Sequence, residues 1–334
     1  MTERAGVETV RQLAKIELHV HFEGCIGPDL LARMRAGRCM GRAELDALYS
    51  FEDFPGFLKA YSRVVATLER PEDFREAAKF IAGRLVAGGV KYVEFTFTPL
   101  PHVRRGLEHG RVIEATLMGL EDAGAAGAKL EAAFIYDTVR QWGAGAAEQS
   151  ARIAVDDMNS GLPVVGFGVG GDELGCPAAE LRAAFEMAAD AGLGRYVHAG
   201  EVGGPRSVRD AVEILGADRI GHGIAAAVDP ELLAQLAESG VCLDVCPTSN
   251  QFTRAVEHYE DNPWPAIAEA GVPVTIGSDD PGFFGAWLDE ELERCASAWR
   301  LNEEALRALM ATAARYSFQP EEKRIELEKI VAGS

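Results

Sequence analysis

The chain lacks a basic surplus: 33 lysines and arginines face 52 aspartates and glutamates, for a formal net charge of −19. This argues against nucleic acid or an anionic membrane as partner, because both call for a basic surface. It also lacks any run of about 18 apolar residues, the length a membrane helix needs. The opening "MTERAGVETVRQLAK" has no apolar core of the kind a secretory leader carries. Cysteine is sparse, at six: Cys25, Cys39, Cys176, Cys242, Cys246 and Cys295. They form no C-x-x-C pair and no regular framework, which excludes a disulfide scaffold and points to a reducing, cytoplasmic setting. No internal repeat, low-complexity tract or linker divides residues 1–334, so a single domain is expected. No G-x-G-x-x-G turn follows the first apolar run, which weakens an open dinucleotide-binding sheet.

What is present is alternation. With 48% hydrophobic and 25% charged residues, the composition is that of a globular protein. Short β-branched runs stand at 15–23, 90–99, 129–140, 164–173, 195–201, 219–225, 241–250 and 274–281. Between them lie amphipathic stretches such as "PAAELRAAFEMAADAG" (177–192), which start near Pro and stop at Gly. Eight strand–helix units predict an α/β fold that closes as a (β/α)8 barrel, the TIM-barrel class. The first connection, 24–89, is long enough for an extra helical segment. Phe54, Phe57, Leu58 and Tyr61 recur there at helical spacing, as core packing or as a lid over the barrel mouth.

Polar chemistry collects at the strand ends. His19, His21 and Glu23 follow the first run, and Gly170, Gly171, Asp172 and Glu173 the fourth. His198 and Glu201 follow the fifth, His222 the sixth, Thr248, Ser249 and Asn250 the seventh, and Asp279 and Asp280 the eighth. In a barrel these C-terminal ends share one face, where active sites are built. His19 and His21 are two apart, so in a strand they project to one side and can grasp one ion. His198 adds a third imidazole and Asp279 a carboxylate, a donor set that suits zinc, with iron or cobalt as further fits. The ion would offset the repulsion between Asp279 and Asp280, leaving Asp280 to face a substrate. Glu201 is expected to move a proton, and His222 to orient an attacking water and take its proton. An "HFE" match to the H-x-E of zinc nucleobase deaminases fails, because "CPTS" is not P-C-x-x-C. Cys246 reads as a small buried hydrophobe.

These segments resemble the adenosine deaminase family of the amidohydrolase superfamily: "ELHVHFEG", "GGDE", "HAGEVGGP", "RIGHG", "CPTSN" and "SDDP", in family order over 17–281. The resemblance implies one divalent metal, usually zinc, on His19, His21, His198 and Asp279. It implies catalytic roles for Glu201, His222 and Asp279: attack of metal-bound hydroxide at C6, protonation of N1 by Glu201, and loss of ammonia. It implies substrate contacts from His21, Glu23, Gly171 (N–H to N3) and Asp280 (to N7). The fourth strand lacks the lysine that binuclear relatives carbamylate.

The implied substrate is an aminopurine nucleoside, adenosine or a derivative. Glu23, standing where many adenosine deaminases place an aspartate near the 5′-hydroxyl, keeps adenine and 6-aminodeoxyfutalosine open as alternatives. Arg104 or Arg105 of the 98–106 loop is a candidate to meet the latter's carboxylate, although a plain solvated loop explains that pair as well. A catalytically silent binding relative would be marked by loss of a ligand or of the glutamate, and none is lost. Substrate and water are the only partners this reading calls for, and it leaves the oligomeric state open.

Overall fold

The computed structural model describes residues 6–34, 41–124 and 130–333. Residues 35–40 of the first connection, Cys39 among them, and residue 129 of the expected third strand lie outside these. Eight strands form one sheet in sequential order: β1 Lys15–His21, β2 Val90–Phe97, β3 Glu131–Val139, β4 Val164–Gly170, β5 Gly194–Ala199, β6 Arg219–His222, β7 Cys242–Val245 and β8 Val274–Ile276. Every neighbouring pair is parallel, and helices fill the connections. This is the (β/α)8 barrel that the alternation predicts. β1 is buried along nearly its whole length, as a strand covered on both faces must be. Among the described residues no helix is long and apolar enough to cross a membrane.

The ring closes through a single bridge, Val20 to Asp279. The His21 N–H donates to the Asp279 carbonyl at 2.8 Å, and the Asp279 N–H donates to the His19 carbonyl at 2.9 Å. Barrel closure and the register of two expected ligands on Asp279 are therefore one feature.

The strands end earlier than their apolar runs suggest. Thr248, Ser249 and Asn250 lie in the Pro247–Phe252 helix, started by a proline at its first turn. Glu23 opens a 3-10 turn, Glu23–Cys25. Asp279 lies beyond β8 with φ +60°, a left-handed conformation that costs a non-glycine residue about 1–2 kcal/mol. Asp279 and Asp280 therefore leave the backbone from a turn and not from a strand, where neighbouring side chains alternate.

Four helices occupy the described part of the first connection: Pro28–Met34, Arg42–Leu48, Phe54–Val65 and Pro71–Ala87. Asp53 caps the third, accepting from the Gly56 N–H at 2.8 Å. That helix buries Phe57, Ala60, Val64 and Val65 on one face. Phe57 and Tyr61 meet Phe284 and Phe283, with ring centroids 5.2 and 5.7 Å apart, in the short helix that follows Asp280.

Deeper in the barrel sits fully buried Arg219. It donates to Asp244 at 2.6 Å, to Glu94 at 2.8 Å, and to the carbonyls of Tyr316 and Leu18. Burial alone would lower its pKa, but Asp244 and Glu94 hold it above the ordinary arginine value.

Candidate metal centre and active site

The four expected ligands converge. One donor atom from each of His19, His21, His198 and Asp279 lies within 4.8 Å of all the others. Asp279 Oδ1 is 3.4 Å from His19 Nε2 and 3.3 Å from His21 Nε2, and the Nε2 atoms of His21 and His198 are 3.1 Å apart. Two of the outer nitrogens are tied down. The His19 Nδ1–H donates to the Asp244 carbonyl at 3.0 Å, and the His198 Nδ1–H to the Val169 carbonyl at 2.9 Å. Each of these bonds fixes the tautomer that leaves an Nε2 lone pair facing the centre.

The residues fit a divalent ion. His19 Nε2 is buried without a hydrogen-bond partner, and lone pairs crowd one another around the centre. Burial and the neighbouring imidazoles push His198 well below the usual histidine range. Burial, with His19 adding to it, pushes His21 down to about 4. Both rings are therefore neutral, the state a ligand requires. Burial works against ionising Asp279, yet His19 and the other imidazoles hold its carboxyl well below the ordinary range. A second trio, His222, Cys246 and Asp279, shares the aspartate. Burial and Asp279 keep the Cys246 thiol well above its ordinary pKa, so it is a buried hydrophobe rather than a thiolate ligand.

The turn that carries the aspartates is held from below. Ser278 donates through both its N–H and its hydroxyl to Glu17, which is fully buried on β1. On the other side, a Cβ on Gly24 would lie 1.7 Å from Asp280 Oδ1, so only glycine can follow Glu23 here. Burial and adjacent Asp279 raise the Asp280 carboxyl well above its ordinary range, in the direction of the neutral form that can donate.

Glu201 is raised to about 8 by burial and by Asp279, and it accepts a hydrogen bond from the Thr253 hydroxyl at 2.6 Å. Its turn is organised by Glu173, which accepts from the N–H groups of Gly200, Val202 and Gly203 and from the Ser207 hydroxyl. The motif "GGDE" therefore contributes a positioning carboxylate. Gly171 has φ +93°, and a Cβ there would meet Gln141 Oε1 at 2.6 Å.

His222, with φ +66°, has its tautomer imposed from outside. The Trp264 N–H can only donate, and does so to Asn262 Oδ1 at 3.2 Å. The Asn262 amide then donates to Asn250 Oδ1 at 3.0 Å, and the Asn250 amide to His222 Nδ1 at 3.1 Å. His222 is left presenting Nε2–H, 3.6 Å from Glu201 and 3.8 Å from Asp279. Burial takes its pKa down to about 3. It can orient an oxygen by donating to it; the expected acceptance of a proton does not fit this tautomer.

Two further groups named from the sequence sit in buried networks. Glu23 is fully buried beneath the cavity lining, its Oε1 bonded by the Thr98 N–H at 3.3 Å and by His102 Nε2 at 2.9 Å and its Oε2 without a partner. The 98–106 loop is mainly the Pro99–Arg104 helix. Arg105 Nη2 bonds the Val65 and Leu68 carbonyls and His102 Nδ1, while Arg104 stacks over Trp142 at 4.2 Å. Arg105 is thus committed to structure, because His102 in turn holds Glu23.

The cavity over the ligands encloses about 800 Å³, mouth included. Phe54, Phe57, Leu58 and Tyr61 of the Phe54–Val65 helix form an apolar wall, facing His21, His198, Glu201, His222 and Asp280. Asp137, Thr98, Thr253 and Gln141 also line it, and no motif in the sequence marks them.

An eight-stranded parallel barrel with three imidazoles and an aspartate at its C-terminal mouth defines a metal-dependent hydrolase of the amidohydrolase type. The adenosine deaminase family profile matches residues 14–333, and the chain belongs to that family. The aminodeoxyfutalosine deaminase of Streptomyces avermitilis is 38% identical over 319 residues, covering 92% of this chain and 87% of the relative. The adenine deaminase of Streptomyces coelicolor is 33% identical over 331 residues, covering 95% and 94%. Among solved structures, the adenine deaminase of Arthrobacter aurescens superposes with a TM-score of 0.88 at 28% identity, covering 96% of this chain and 98% of that one. An amidohydrolase of Burkholderia ambifaria with bound Zn gives 0.85 at 25% identity, covering 100% and 99%. The chain is a deaminase, a hydrolase acting on C–N bonds.

Proposed function

We propose that this enzyme deaminates a 6-aminopurine nucleoside, adenosine or an adenosine derivative, to the 6-oxo form and ammonia. The observation that carries the reading is the convergence of His19, His21, His198 and Asp279 next to the buried carboxyl of Glu201. Those four residues would hold one divalent ion, zinc being the best match to three nitrogens and one carboxylate oxygen. When bound, the ion supplies a water acidified enough to attack at neutral pH.

The protein does the rest. Glu201 donates its proton to N1, which makes C6 electrophilic. Protonated Asp280 donates to N7, a ring acceptor, and the Gly171 N–H faces N3. His222 Nε2–H orients the attacking oxygen, and the apolar wall of Phe57, Leu58 and Tyr61 shields the ring from bulk water. The Phe54–Val65 helix acts as a lid within a single 1–334 domain, its opening requiring separation of Tyr61 from Phe283.

A second reading, 6-aminodeoxyfutalosine as the natural derivative, is favoured by the 38% identity to a relative of that name. Free adenine is favoured by relatives at 33–35%. Ammonia release from adenosine, 2′-deoxyadenosine, adenine and 6-aminodeoxyfutalosine, measured side by side, ranks them. Release from none of them would remove the proposal.

A further inference from the structure

The cavity carries one carboxylate that no role above uses. Asp137 stands near the end of β3, only 4% exposed, and lines the cavity. Its Oδ1 accepts the Thr98 hydroxyl at 2.5 Å, which fixes the carboxyl and leaves Oδ2 toward Gly170. A Cβ placed on Gly170 would lie 3.0 Å from that Oδ2 and 3.6 Å from His198 Nδ1. Asp137 therefore borders the cavity one residue before Gly171, the expected partner of purine N3. In a purine, C4 joins N3 to N9, so a substituent on N9 continues along this wall.

Charge decides what kind of substituent fits. Among the described residues, the lining includes Asp137, Glu173, Glu201, Asp279 and Asp280 but no lysine or arginine. Two guanidiniums on neighbouring segments are spent on carbonyls, Arg105 on Val65 and Leu68 and Arg140 on His198. A phosphate on the sugar would meet carboxylates with no counter-cation, a costly arrangement in a dry site. A hydroxyl both donates and accepts. It therefore suits Asp137 in either protonation state, and burial raises that carboxyl to about 8.

Resting on the deaminase reading above, we propose that Asp137, seated by Thr98, hydrogen-bonds a hydroxyl of an N9 glycosyl group whose sugar carries no phosphate and so selects nucleosides over the free base and over nucleoside 5′-phosphates.

The test compares kcat/KM for adenosine, 6-aminodeoxyfutalosine, adenine and adenosine 5′-monophosphate in the zinc-loaded wild type, Asp137→Ala, Asp137→Asn and Thr98→Val. Metal content and melting temperature are measured on each variant. The wild type should prefer its best nucleoside to adenine and, by at least about 100-fold, to the monophosphate. Loss of a hydrogen bond to this carboxyl should lower the nucleoside-to-adenine ratio about 10–100-fold in Asp137→Ala, mostly through KM. Asp137→Asn should recover part of it, since an amide oxygen still accepts. Thr98→Val, which leaves the carboxyl in place, should move the ratio the same way by a few-fold. A ratio within twofold of wild type in both Asp137→Ala and Thr98→Val overturns the inference while leaving the deaminase intact. So does a wild type that prefers adenine or accepts the monophosphate like the nucleoside. Ammonia from none of the four substrates overturns the deaminase reading itself.

Discussion

Two buried polar clusters share the interior of this barrel, and Asp244 touches both. Its carboxylate holds Arg219, while its carbonyl takes the Nδ1–H of His19. Around Arg219 the partners are complete. Asp244 accepts from Arg219 on one oxygen and from the Thr275 hydroxyl on the other. Glu94 accepts from Arg219 on one oxygen, and from the Tyr92 hydroxyl and the Phe318 N–H on the other. Around His19 the partners are incomplete, with His19 Nε2 and Asp280 Oδ1 buried and unbonded. Burying unpaired polar atoms costs free energy. A cluster that satisfies itself is therefore read as structure, and one that does not is read as a site that a ligand completes.

The strongest way to break this contrast is Arg219→Met. It strands two buried carboxylates and should lower unfolding stability by about 3–5 kcal/mol in a denaturant titration. His19→Ala, tested metal-free, should lose clearly less. Equal losses would erase the distinction between the clusters.

Next in size is the ion itself. An ion that binds only the folded state adds about 2.7 kcal/mol at 100 times its Kd. A chelator should therefore lower the melting temperature of the wild type and stop ammonia release, while His19→Ala should not respond to added zinc. Activity that survives dialysis against chelator would sink the metal assignment.

Glu201→Gln separates chemistry from ligation. It should bind metal normally and lose at least about 100-fold in kcat. The same residue sets a pH dependence. Its carboxyl must be protonated to serve N1, so kcat/KM should fall as pH rises through its pKa. That midpoint lies no higher than about 8, because a cation beside the carboxylate can only lower it. A flat alkaline limb in the wild type would contradict the acid role.

The smallest effect belongs to the outer network. Asn250→Ala frees the His222 tautomer and should cost up to about tenfold in kcat, with stability little changed. No change in rate would mean that the Asn262–Asn250 chain does not set how His222 acts.

Much of the fold can be read from the chain because periodicity is local: alternating apolar runs and amphipathic stretches announce eight units wherever those units end up. Strand ends are less legible. Pro247 and the left-handed turn at Asp279 cut two apolar runs short, and hydrophobicity does not register either break. The ligand set is legible because three of its four members are histidines or sit beside one in apolar surroundings. Thr253, Asn262 and Asp137 escape notice because each acts through a partner on another strand or loop, and nothing in its own segment marks it; Glu173 stands in the GGDE motif, but its hold on the Gly200–Gly203 turn does not show there.

Taken alone, the order of residues determined the barrel, the set of candidate ligating side chains and the acidic, cysteine-poor character of the molecule, all of which follow from composition and short-range pattern. Only the folded chain decided that His222 donates from Nε2, that Glu23 takes Thr98 and His102 as partners, and that Asp137 takes its place on the cavity wall. Those outcomes depend on distances between groups tens to hundreds of residues apart, and such distances exist only once the ring has closed.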